Sequence, residues 1–128
     1  MMIDIYGPLN SGLTTGGAGV STNNATGTTP ITGKLLGFYI RFNDSPPAGT
    51  ADTTIQLTGG VMPTRTVLTI TNGATDGFYA VRAGALTVGN AAITDSNVLI
   101  PLVRDYLKVT LAQANDNDSV DVWAVVEK

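Results

Sequence analysis

Asp116, Asn117, Asp118 and Asp121 crowd into "AQANDNDSVDVW" (112–123), the densest run of oxygen ligands in the chain. Carboxylates and amides so close together open many calcium loops, which carry ligands at positions 1, 3 and 5, Gly at 6 and Glu at 12. Counted from Asp116, position 3 is Asp118, but position 5 is Val120 and position 6 is Asp121. Counted from Asp118, position 3 is Val120. Position 12 from Asp116 is Glu127, which belongs to an alternating apolar run. Neither register meets the ligand spacing. Flanked by two alternating segments, "QANDNDS" reads instead as a hairpin tip, built of residues that tolerate the left-handed conformation and form Asx-turns.

Little else in the chain could carry chemistry. Cysteine and histidine are absent, which removes thiolate nucleophiles, disulfides, zinc and haem sites, and Ser-His-Asp triads. Glu127 is the one glutamate, and nearly every aspartate sits beside a turn residue. A paired-carboxylate hydrolase would need one of those acids held in a burying environment. The expectation is a protein that is not an enzyme and carries no cofactor and no metal.

Net charge is −3, and the seven basic residues (Lys34, Arg41, Arg65, Arg82, Arg104, Lys108, Lys128) are scattered. Binding a phosphate backbone needs them clustered, so no nucleic-acid partner is expected. No run approaches the ~18 apolar residues of a spanning helix, and the N-terminus lacks the basic flank and apolar stretch of a leader. No membrane partner is expected either.

The chain of 128 residues fits one domain, yet two regions are written differently. Residues 1–33 hold one charge, Asp4, and run through "GPLNSGLTTGGAGVSTNNATGTTPITG". With Leu9, Leu13, Val20 and Ile31 too far apart to share a face, this segment predicts an extended arm outside the folded domain. Such an arm is either loose or docked along a neighbouring subunit, and those four residues are its candidate contacts. "MMIDIY" alternates well enough for a short anchoring strand.

Residues 34–128 follow a β pattern. Strand signals fall at 35–42, 53–58, 65–71, 78–83, a weaker 84–88, 97–103, 106–113 and 119–127. Pro101 marks an edge or a bulge in the sixth of these. Asn72-Gly73 and Asp76-Gly77 are turn signals, and "NDSPPAGTAD" (43–52) reads as a stiff crossover or a displayed loop. No apolar i, i+3, i+4, i+7 pattern supports a helix. Seven to eight strands at this spacing predict an antiparallel β-sandwich, jelly-roll or immunoglobulin-like.

Within the last strand, Val120, Val122, Ala124 and Val126 share one face, while Trp123 shares the other with Asp121, Val125 and Glu127. Either face is a candidate for the core. An outward Trp123 could stack on a sugar or anchor a subunit interface. The sequons at Asn24, Asn43 and Asn117 are what chance gives in a chain so rich in Asn and Thr.

Three stretches carry a resemblance: "GKLLGFYIRFNDSPPAGTADTTIQLTGG", "RTVLTITNGATDGFYAVR" and "YLKVTLAQANDNDSVDVWAVVEK". Over 34–128 the chain resembles the small all-β decoration or cement proteins of tailed-phage heads. The resemblance implies a virion component on the outer surface of the capsid that braces the major capsid protein and oligomerises with itself, commonly as a trimer. It brings no active-site residues. The alternative is a carbohydrate-binding or host-attachment module of a tail or head fibre, with Trp123 and a loop tyrosine as stacking platforms.

Overall fold

The computed structural model describes residues 2–43, 50–61, 63–86 and 92–128, with 83–86 and 92–98 as backbone. Among these residues the chain forms ten strands and no helix. They are β1 (Ile3–Asn10), β2 (Ser21–Thr26), β3 (Ile31–Phe42), β4 (Asp52–Thr58), β5 (Arg65–Ile70), β6 (Gly77–Ala80), β7 (Ala83–Leu86), β8 (Ala92–Val98), β9 (Ile100–Ala114) and β10 (Val120–Glu127). Eight of them make one open sheet in the order β1-β10-β3-β9-β4-β5, with β2 added on β9 and β6 on β3, while β7 and β8 pair with each other. The pairings are antiparallel throughout. The all-β antiparallel expectation holds.

Alternation sorts the faces as the sequence predicts. Ile55 and Leu57 of β4, Leu107, Val109 and Leu111 of β9, and Val120, Val122, Ala124 and Val126 of β10 are buried. They join Leu35, Phe38, Ile40 and Phe42 of β3 in one apolar cluster. Each large side chain so buried contributes roughly 1.5–3 kcal/mol, which makes this cluster the main stabilising feature.

One strand serves two sections of the sheet. The first part of β9 pairs with β3, from Leu35↔Ile100 to Ile31↔Asp105. From Tyr106 onward β4 takes one edge of β9, and β2 pairs with it as well. The change of partners falls beside Arg104, whose φ of 48° is a left-handed, bulge-like kink that re-aims the strand. Pro101 lies opposite Lys34, where β3 is β9's one strand partner among the described residues. A proline is tolerated at such an edge, as its missing N–H predicts. The strand expected at 97–103 is split, because β8 ends at Val98 and β9 begins at Ile100. Residues 44–49 of the Pro-stiffened loop and 87–88 of the weaker strand lie outside the described residues.

Residues 1–33 depart from the arm expectation. β1 pairs with β10 from Ile3↔Glu127 to Asn10↔Asp121, and β2 pairs with β9 from Ser21↔Ala114 to Thr26↔Lys108. Ile31 opens β3 and is 2% exposed, inside the core. This segment needs no apolar face of its own. Its backbone completes the ladders of strands that are already buried, and its hydroxyls are spent on the main chain. Ser11, Thr14 and Ser21 are all buried. Ser11 N–H donates to the Val120 carbonyl at 3.0 Å, and Ser11 Oγ accepts from Val120 N–H at 3.1 Å. Thr22 Oγ1 donates to the Leu111 carbonyl at 2.9 Å. At the far end of β1, Lys128 Nζ lies 3.2 Å from Asp4 and 5.4 Å from the Tyr6 ring centroid. Hydrogen bonding to Tyr6, then to Asp4, holds this ammonium above its ordinary pKa of 10.5.

Candidate functional site

The acidic cluster is a buttressed turn. Asn117 takes the left-handed conformation, φ 64°, as a tight turn requires. Asp118 is buried, and its carboxylate accepts from Asn115 N–H at 2.9 Å. Thr14 closes the turn from outside: its hydroxyl donates to the Asn115 carbonyl at 2.6 Å and accepts from Asp118 N–H at 2.9 Å. Thr14 N–H donates to the Asp118 carbonyl and Asn117 N–H to the Thr14 carbonyl, each at 2.8 Å. The acids diverge from here, since Asp121 lies on β10 and binds Arg41 and Asn10. The hairpin expectation is corrected. β9 and β10 are joined by a tight turn but do not pair, because β10 runs between β1 and β3. Thr14→Val is expected to cost about 1–3 kcal/mol, the penalty for buried groups left unpaired, read as a lower denaturation midpoint at unchanged m.

Trp123 occupies the outer face, where it is half-buried by neighbours rather than by the core. Cross-strand register places Trp123 opposite Tyr39, and Tyr39 opposite Phe78. The next row sets Ile5 opposite Val125, Val125 opposite Gly37, and Gly37 opposite Ala80. The Tyr39 and Trp123 rings meet edge to face, with centroids 5.8 Å apart and planes at 67°. Arg41 lies 5.4 Å from the Trp123 ring centroid, and its Nη2 is 3.2 Å from Asp121 Oδ2. Asp121 Oδ1 accepts from Asn10 Nδ2 at 2.8 Å. Gly37 leaves room for Phe78: a Cβ there would fall 2.7 Å from Phe78 Cζ, so the ring lies across the bare backbone. Ile5, Tyr39, Arg41, Phe78, Trp123 and Val125 line a shallow depression of about 440 Å³.

The other candidate contacts scatter. Leu9 is half-buried and packs against the core, whereas Ile31 is core and presents nothing to a partner. Leu13 and Val20 stand exposed in the 11–20 loop and do not line the depression beside Trp123. Tyr39, Phe78, Ile5 and Arg41 were not singled out as site residues in the sequence. The phase of "GFYIRF" carried the signal, since Phe38 and Ile40 inward send Tyr39 and Arg41 outward. Which strands flank Trp123 was set by long-range pairing.

No protein-family model matches the chain, and no curated protein matches it.

Proposed function

We propose that the chain is a non-enzymatic structural protein of a tailed-phage virion. In this reading it is a decoration or cement protein on the outer surface of the head. It stabilises contacts between capsomers of the major capsid protein and associates with itself, the trimer being favoured. The reading rests on the resemblance over 34–128 and on one observation, the hydrogen-bonded tethering of the 11–20 loop. Ser11, Thr14 and Gly19 tie this loop to Val120, Asp118 and Asn115, yet Leu13 and Val20 are 55% and 70% exposed. Apolar side chains on a pre-ordered loop dock without the ordering entropy that a loose arm would lose.

Cosedimentation with tailed-phage heads assembled from the major capsid protein of the same source tests the proposal. The protein is expected on assembled heads but not on isolated capsid subunits. A Leu13→Asp/Val20→Asp variant with unchanged melting is expected to bind at least tenfold more weakly, since a carboxylate in an apolar contact costs about 1.4 kcal/mol or more. Failure of the unaltered protein to bind heads, or equal occupancy by the variant, would sink the proposal.

A further inference from the structure

We infer that the trough on the outer face of β1, β10, β3 and β6 binds a pyranose residue at the end of a glycan. Its volume, about 440 Å³, falls within the ~300–1,000 Å³ of small-molecule sites. Three rings from three adjacent strands line it, and the 67° between Tyr39 and Trp123 makes them walls rather than a flat tile. A pyranose has an apolar C–H face and a rim of hydroxyls. The C–H face matches the rings, Ile5 and Val125. The hydroxyls match Arg41, which lines the trough and is held from outside it by Asp121, itself bound by Asn10. A guanidinium has five N–H donors, so Arg41 keeps capacity for a ligand.

Charge argues against an anionic occupant. Of the six lining residues Arg41 alone is charged, and Asp121 at 3.2 Å offsets it, so a phosphate or other anion gains little. Tyr39 and Phe78 are 49% and 53% exposed and each offers roughly 100 Å² of ring surface to a ligand. A sugar ring fits the trough.

Trp123 is the single tryptophan, so the emission of the intact protein reports on this trough directly. It would be titrated with the methyl glycosides of glucose, galactose, mannose and N-acetylglucosamine, and with their trisaccharides, to about 10 mM, the weak end of specific binding. The expected result is a saturable shift with at least one sugar. Tyr39→Ala and Phe78→Ala, both at exposed positions, are expected to weaken it tenfold or more while melting normally. No saturable response to any sugar overturns the inference, as does equal affinity in both variants. A saturable response to apolar peptides but to no sugar also overturns it and assigns the trough to a protein partner. Self-association of the protein that is lost in both Tyr39→Ala and Phe78→Ala would assign this face to a second copy of the chain and overturn the inference.

Discussion

A chain lacking residues 1–33 is expected to show no cooperative unfolding transition. The segment itself contributes little net free energy. Ordering it costs about 1–2 kcal/mol per residue, against about 1 kcal/mol for each hydrogen bond gained. The damage falls on what remains. β10 loses its six paired residues on β1, and β9 loses its five on β2, so two strands of the core become open edges. The core loses Ile31, a deletion worth about 2–5 kcal/mol by itself. Thr14 and Ser11 leave the 115–120 turn, freeing the N–H groups of Asn117, Asp118 and Val120. Against a total stability of ~5–15 kcal/mol these losses unfold the chain or drive it to aggregate through the bared edges. Removing residues 1–10 alone takes away β1 but leaves Thr14 and Ile31, so a lowered yet cooperative transition is expected. Near-ultraviolet circular dichroism and thermal melts of the two truncations decide the matter. A sharp, native-like melt of the 34–128 chain would mean that the segment is an appendage after all.

What the sequence told of this fold follows from the range of the interactions. Alternation is local, and it sorted the residues of β4, β9 and β10 into two faces. Which face of β10 is core stays open in the sequence, and the pairing of β10 between β1 and β3 settles it. The turn at Asp116–Asn117 was equally local. β1 and β2 beyond "MMIDIY" were not legible, because Gly7, Pro8 and the Asn-rich "STNNAT" carry no apolar period. Their strand character comes from partners about a hundred residues away in sequence, as the Asn10↔Asp121 and Ser21↔Ala114 pairs show. The supposed last hairpin failed for the same reason. A tight turn dictates reversal of the chain, while pairing depends on which edge is free, and β3 and β1 had taken both edges of β10. Of the candidate trough only Trp123 was singled out in the sequence, with its face undecided, because its neighbours across three strands come from long-range pairing.

Asp105→Ala is expected to be the most destabilising single substitution at a polar residue. Asp105 has no exposed side-chain surface, and Arg65 meets it in a fork, Nη1 to Oδ1 at 3.2 Å and Nη2 to Oδ2 at 3.1 Å. The same carboxylate accepts from Val103 N–H at 2.9 Å, reaching back across the left-handed Arg104. Arg65 also donates to the Pro101 carbonyl at 3.1 Å. One acid therefore holds the kink of β9 and ties it to β5 at the point where β9 changes partners. Gly60 is part of the fit, because a Cβ there would sit 2.7 Å from Asp105 Oδ1. Removing the acid leaves Arg65 without its counter-charge and the Val103 N–H without its acceptor, which costs about 3–5 kcal/mol and lowers the melting temperature by roughly 12–20 °C. Arg65→Met is expected to hurt comparably, since it strands the buried carboxylate. If the two residues act as a pair, Arg65→Met combined with Asp105→Ala recovers at least ~1.5 kcal/mol of the summed single losses. Denaturant unfolding of the four proteins gives that coupling term, and a value near zero would show that the kink holds without its ion pair.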